Sequence, residues 1–145
     1  MADDVEHSSI FFDWDILDHD DHEGWDQLRC LYAYCSRDRE ILYIGKCWGT
    51  TVRQRWQFES KPEFWSDLET QRRIFSHMVL VGTVALYPGQ RLTHQLLFDA
   101  ESLLIHRLQP RGNIQSRLSR IERPGLVVHC RGDWLERQRR FHDAA

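Results

Sequence analysis

Several things are scarce or missing in this chain of 145 residues. No apolar run approaches the ~18–20 residues that span a bilayer, so no membrane partner is expected. The opening Met1-Ala2-Asp3-Asp4 has neither the basic n-region nor the apolar h-region of a secretory signal, which makes a cytoplasmic chain the expectation. Lysine is nearly absent, with Lys46 and Lys61 set against seventeen arginines. The four cysteines (Cys30, Cys35, Cys47, Cys130) include no C-x-x-C pair, and without a secretory signal they read as reduced, buried thiols. No internal repeat or low-complexity linker follows residue 27. What remains is 41% hydrophobic and 12% aromatic, enough for a core, at the length of about one domain.

The formal net charge of −3 argues against a nucleic-acid partner, but it hides a split. Residues 1–26 hold ten Asp and Glu with no Lys or Arg, whereas residues 27–145 hold nineteen basic residues against twelve acidic ones. The leader is therefore −10 and the body +7. Arginine is the side chain suited to bidentate phosphate contacts. Three segments follow: an acidic leader at 1–26, a core at 27–116 and a basic extension at 117–145 on the same domain. The leader is expected to fold near or over a basic cleft, to dock a partner, or to serve as a solubilising tail.

Residues 29–35 and 40–45 are aromatic and β-branched around a charged Ser36-Arg37-Asp38-Arg39, a hairpin signal. Thr50 or Thr51 is placed to cap a helix through about Phe58, and Pro62 to open another to about Ile74. His77–Tyr87 predicts a third strand. Arg91–Leu108 predicts the longest helix, stopped by Gln109-Pro110-Arg111-Gly112. Gly125–Cys130 predicts a last strand, and Asp133–Phe141 a basic helix. The fold class expected is α/β, a three-stranded sheet with helices packed on it.

Four residue patterns carry chemistry. A symmetric turn between Arg37 and Asp38 sets Tyr32 directly across from Tyr43, an arrangement that ordinary aromatic packing also produces. Glu101 lies within about 60° of Leu97, Phe98, Leu104, Ile105 and Leu108 on a helical projection, so burial demands a cation, an arginine partner or protonation. Val52 and Trp56 define the inward stripe of the helix after the hairpin, with Arg55 ~60° to one side and Arg53 pointing elsewhere. Asn113 follows the Glu101 helix in Pro110-Arg111-Gly112-Asn113.

Cys30-Leu31-Tyr32, the eleven positions from Tyr32 to Tyr43, and Tyr43-Ile44-Gly45-Lys46 together resemble the two motifs of the GIY-YIG nuclease superfamily. The later order is similar: an arginine on the first helix, a lone glutamate on a long helix, an asparagine in the next loop. The resemblance spans about residues 29–115. It implies a GIY-YIG-like domain with a central three-stranded antiparallel sheet flanked by helices, and a DNA endonuclease that uses one divalent metal, Mg²⁺ or Mn²⁺. It also implies roles: Tyr43 as general base aided by Lys46, Tyr32 beside the water or phosphate, Arg55 neutralising the phosphate, Glu101 on the metal, and Asn113 supporting the site. Arg53 is the alternative to Arg55, since ungapped counting selects it. Cys30 replaces the family's first glycine. The histidine many members carry a turn after the arginine is absent, with Phe58 and Glu59 in that region and Lys46 as its substitute.

Two other readings stand beside the nuclease. One is a non-catalytic nucleic-acid-binding module that keeps the fold. The other is an interaction protein stabilised by zinc on His19, His22, Cys30 and Cys35, although H-x2-H-x7-C-x4-C matches no compact ligand pattern. Arg117, Arg120, Arg123, Arg137, Arg139 and Arg140 are candidate phosphate contacts. Trp25, Trp48, Trp65 and Trp134 read as core or cover. DNA form, DNA against RNA, and oligomeric state are left open.

Overall fold

Six segments are strands: Ser9–Ile16 (β1), Cys30–Ser36 (β2), Ile41–Cys47 (β3), His77–Ala85 (β4), Val127–Gly132 (β5) and Arg140–His142 (β6). They are seen in a computed structural model of the chain, which describes residues 9–36, 38–58, 77–113, 123 and 125–142. All six belong to one curled sheet in the order β3-β2-β4-β1-β5-β6. Neighbours run antiparallel except β1 and β5, which are parallel. Among the described residues there are two α-helices, Val52–Phe58 (α1) and His94–Leu108 (α2), and a short 3-10 turn at Glu23–Asp26. This overturns the expected three-stranded antiparallel sheet flanked by helices; the protein is mostly β, with a mixed sheet twice that size. The helix expected over 62–74 lies outside the described residues. None of the helices among them is long and apolar enough to cross a membrane.

Most of the difference comes from β1. Its alternation puts Ile10, Phe12 and Trp14 on one face, all fully buried, and pairs the strand with β4 on one side and β5 on the other. Trp14 stands opposite Gly82 on β4 and Gly132 on β5. A Cβ on Gly82 would sit 2.9 Å from the indole, and one on Gly132 would sit 2.4 Å from the Trp14 carbonyl oxygen. Gly132 also has φ +75°, which an L side chain adopts only with strain. So part of the acidic leader is a central strand, and its apolar half outweighed its charge.

The two faces of the sheet carry different cores. One face holds Ile10, Phe12, Trp14, Leu31, Ala33, Cys35, Ile44 and Leu80 under α2. The other holds Cys30, Tyr32, Tyr34, Cys47, Val79 and Val81 under Trp25 and Val52. Capping starts both helices. Thr51 and Gln54 form a reciprocal box, Thr51 N–H to Gln54 Oε1 at 2.8 Å and Gln54 N–H to Thr51 Oγ1 at 3.1 Å. Thr93 Oγ1 accepts from Leu96 N–H at 3.1 Å, moving the α2 start three residues past the expected Arg91.

Two local expectations are also corrected. Tyr43 stands opposite Tyr34, and Tyr32 stands opposite Gly45. The turn is not symmetric: Arg39 adopts φ 69°, Ser36 N–H bonds Glu40 O at 3.0 Å, and a bulge between Tyr34 and Cys35 shifts the pairing again. The basic helix expected over 133–141 does not form. Trp134 is buried, its indole N–H donates to Gln138 O at 2.8 Å, and Cys130 N–H bonds Arg139 O at 2.7 Å, so the chain folds back to add β6. Tertiary burial of one tryptophan overrides the helix propensity of the arginine-rich run.

Replacing Trp14 by alanine opens a void flanked by two glycines that offer no side chain to fill it. The expected cost is about 3–5 kcal/mol of unfolding free energy, read from urea denaturation against wild type. A cost below about 1 kcal/mol would remove Trp14 from this role.

Candidate active site

β3 is an edge strand, and its open edge is where the two faces of the sheet meet solvent together. Alternation along Tyr43-Ile44-Gly45-Lys46 sends Tyr43 to the face shared with Tyr32, and Ile44 and Lys46 to the face under α2. A cleft of about 180 Å³ opens at this edge, lined by Tyr32, Tyr43, Ile44, Gly45 and Lys46 from the hairpin, Arg55 from α1, Glu101 and Ile105 from α2, and Asn113 beyond it. All six residues picked out by the motif order therefore line one cavity. Two cations, one carboxylate and two phenols face a space the size of a few water molecules.

The tyrosines form one continuous surface. Tyr32 and Tyr43 rings lie 6.0 Å apart and Tyr34 stacks on Tyr43 at 5.5 Å. Tyr34 was not singled out from the sequence, although its two-residue spacing from Tyr32 puts both on one face. Gly45 has a steric reason to be glycine. A Cβ there would fall 2.3 Å from the Tyr32 hydroxyl and ring, so the phenol lies directly over the Gly45 backbone.

Asn113 is buried and fully engaged. Its Oδ1 accepts from Ile44 N–H at 2.9 Å, and its Nδ2 donates to Ile44 O at 2.8 Å. Gly112 N–H adds a bond to Leu42 O at 2.7 Å. The side-chain amide thus acts as one residue of a further strand on β3, covering the edge that would otherwise expose backbone. It ties the exit of α2 to the strand carrying Tyr43 and Lys46. Lys46 Nζ lies 5.0 Å from the Phe98 ring centroid, a cation–π contact that holds the ammonium beside α2.

Glu101 is half-buried and lines the cleft, between the buried Leu97 and Ile105 one turn to either side. Burial wraps more than half the helix, because Asp99, Ser102 and Ile105 are buried as well as Leu96, Leu97, Ala100, Leu103 and Leu104. The carboxylate sunk in α2 is Asp99, 5% exposed, which meets Arg123 Nη1 at 2.6 Å and Gln95 Nε2 at 2.8 Å. Arg123, a candidate phosphate contact, is thereby a structural partner.

Arg55 and Arg53 separate cleanly. Arg55 lines the cleft, whereas Arg53 Nη2 donates to Asp20 O at 2.8 Å and its Nε to Asp26 Oδ1 at 3.3 Å, on the other side of α1. Among the remaining basic candidates, Arg139 donates to the Gly132 carbonyl and Arg137 and Arg140 are exposed, while Arg117 and Arg120 lie outside the described residues. Of the tryptophans, Trp25 and Trp134 are core, Trp48 is half-buried against His94, and Trp65 lies outside the described residues.

The zinc reading fails on geometry. Cys30 and Cys35 belong to cores on opposite faces of the sheet, and Cys30 faces Cys47 instead. No group of three or more metal-ligating side chains occurs among the described residues. The hydrogen bond with Cys47, then burial, holds the Cys30 thiol well above its ordinary range, and burial pushes Cys35 and Cys130 up to about 12. These sulfurs stay protonated near neutral pH, which suits packing and disfavours nucleophilic attack.

Comparison with family models finds no match for the chain, and comparison with curated proteins and with solved structures finds none either.

Two substitutions test how the cleft is held. Asn113→Ala leaves the Ile44 N–H and C=O without partners in a buried position and is expected to cost about 1–3 kcal/mol, measured by thermal or urea unfolding. Gly45→Ala forces the Tyr32 ring away. It is expected to destabilise by about 1–3 kcal/mol and to change near-ultraviolet tyrosine dichroism. An unaltered spectrum would show that Tyr32 does not rest on Gly45.

Proposed function

We propose that the protein is a metal-dependent phosphodiester hydrolase of the GIY-YIG type, acting on DNA. The observation that carries the reading is the convergence of Tyr32, Tyr43, Lys46, Arg55, Glu101 and Asn113 on one small cleft, although they come from four separate segments of the chain. Decay to a binding module would leave no reason to keep two phenols, two cations and one carboxylate together in so small a space.

The chemistry follows from the side chains. A phosphate diester entering the cleft meets the positive groups of Lys46 and Arg55, which offset its charge and the charge that builds on it as the fifth oxygen approaches. Tyr43 Oη, as phenolate beside the same two cations, is the base: it takes a proton from the attacking water as that oxygen bonds to phosphorus, the P–O bond to the leaving oxygen breaks, and the leaving oxygen takes a proton from solvent. Tyr32, held over Gly45, keeps that water or a phosphate oxygen in line. Asn113 positions the rest by fixing β3 against α2, with both ends of its amide spent on Ile44.

Glu101 is the residue that would hold a divalent cation. The donor set fits a hard ion such as Mg²⁺ or Mn²⁺, which takes one carboxylate and fills its shell with water and phosphate oxygens. Such an ion would supply Lewis acidity and neutralise charge on the phosphate.

The test is cleavage of supercoiled plasmid with Mg²⁺ or Mn²⁺ and an EDTA control, beside Glu101→Ala and Tyr43→Phe. Wild type is expected to nick or linearise the plasmid only with metal, and each variant to lose about 10²-fold or more in rate. Cleavage unchanged in Glu101→Ala would sink the metal assignment. Salt-sensitive DNA binding without cleavage of any DNA form would favour the non-catalytic binding module.

A further inference from the structure

The row of side chains that enters the cleft from β3 continues beyond it. Lys46 and Trp48 lie two residues apart on the face under α2, and the helix meets each of them. Lys46 Nζ is 5.0 Å from the Phe98 centroid, and the Trp48 ring is 5.1 Å from His94, one helical turn back. Arg29, the residue before β2, closes the row. Cys30 stands opposite Cys47, which brings Arg29 to the same end of the hairpin as Trp48, and its guanidinium carbon lies 4.9 Å from the Trp48 centroid. A seam between α2 and the hairpin thus runs from Lys46 and Glu101 in the cleft to Arg29 outside it.

The surroundings of Arg29 narrow what it binds. Arg53, Arg111, Arg123 and Arg131 each pair with a carboxylate. Arg29 is exposed, and among the described residues no carboxylate or hydrogen-bond acceptor meets it. The contact it does make is with the Trp48 ring, which restrains the guanidinium and spends none of its N–H groups. Five donors in a fixed fork, with no internal acceptor, suit a phosphate bound through two oxygens. The backbone here is costly as well: φ is 54°, a left-handed conformation that favours glycine, yet the position carries arginine. Two residues of extended chain cover roughly 7 Å, about one step between neighbouring phosphates of a strand, so the Trp48 end of the seam lies about one nucleotide from Lys46.

We propose that Arg29, held on Trp48, binds the DNA phosphate next to the one seated in the cleft, on the same strand. The proposal rests on the phosphodiesterase reading for what the cleft holds. It adds a second backbone contact without base readout, and so sets the direction and register in which a strand crosses the edge of the sheet.

The test uses the full chain with Arg29→Gly, which removes the guanidinium but suits the backbone, so the fold is kept. Arg39→Gly is the matched control: it too is an exposed arginine at positive φ (69°), but in the turn between β2 and β3. Arg29→Gly is expected to weaken duplex binding in EDTA about tenfold, read by fluorescence anisotropy, whatever the sequence. The slope of log affinity against log salt is expected to flatten by ~0.9, the share of one phosphate contact. Thymidine 3′,5′-bisphosphate carries two phosphates one nucleoside apart. By calorimetry, wild type and Arg39→Gly are expected to bind it about tenfold more tightly than thymidine 5′-phosphate, and Arg29→Gly to show no such preference. Equal losses in the two variants, an unchanged salt slope, or a bisphosphate preference that survives Arg29→Gly overturn the proposal, as does a wild type that binds no duplex. Metal-dependent plasmid cleavage alongside any of these leaves the hydrolase standing and removes the Arg29 contact. The expected losses without cleavage keep the contact and remove the hydrolase.

Discussion

Pairing of Ser9–Ile16 with β4 on one side and β5 on the other is what joins six strands into one sheet. Without it, β3, β2 and β4 have no connection to β5 and β6 through backbone hydrogen bonds. The joint closes long loops, since Ile16 N–H reaches Asp133 Oδ2 across 117 positions and Asp133 N–H returns to Trp14 O. Contacts so distant in sequence carry a loop-closure entropy cost that local pairings do not. Trp14, set between two glycines, locks the register at the same place. The far edge of the sheet, where the cleft lies, is connected to this joint through β4 and β2.

That edge solves a geometric problem. Successive strand residues point to opposite faces, so Tyr43 and Lys46 belong to different sides of the sheet. On an interior strand, neighbours on both flanks would keep them apart. On β3, the only flank among the described residues is the loop after α2, and groups from both faces share one solvent space. The same exposure leaves β3 open to pairing with another chain, and the Asn113 amide occupies those hydrogen-bonding sites. One residue thus blunts the edge and closes the cleft.

Spacing along the chain carried more of the site than of the fold. The order of tyrosines, arginine, glutamate and asparagine was readable because it is a pattern of residue types, and the cavity gathers all six. Most element positions were readable from periodicity and caps, such as Ile41–Cys47 and the helix ending at Gln109-Pro110. What was not readable depended on partners distant in sequence. Phe11-Phe12 in an acidic leader gives no sign that β4 and β5 will flank it. Trp134 inside an arginine-rich run gives no sign that it will be buried and turn the chain back. The hairpin register failed for a local reason: Arg39 takes a left-handed conformation that sequence alone assigns more readily to glycine or asparagine. Asp99 was passed over because its partner, Arg123, sits 24 residues away.

Charge shows the same dependence on placement. The leader and body, −10 and +7 when counted along the chain, interleave in space. Asp13 meets Arg131 through two bonds at 2.7 and 3.0 Å, and Asp26 meets Arg53. Exposed pairs of this kind contribute only ~0–1 kcal/mol each, so stability does not explain their effect. They neutralise arginines on the β1–β5 face and behind α1, away from the cleft that contains Lys46 and Arg55. Exposed charges are screened beyond ~8–10 Å at ordinary ionic strength, so an approaching polyanion responds to local groups and not to the net total. Acidic residues built into the fold therefore set where positive charge is left uncompensated, and a net charge of −3 is compatible with a cleft that carries two cations and one carboxylate.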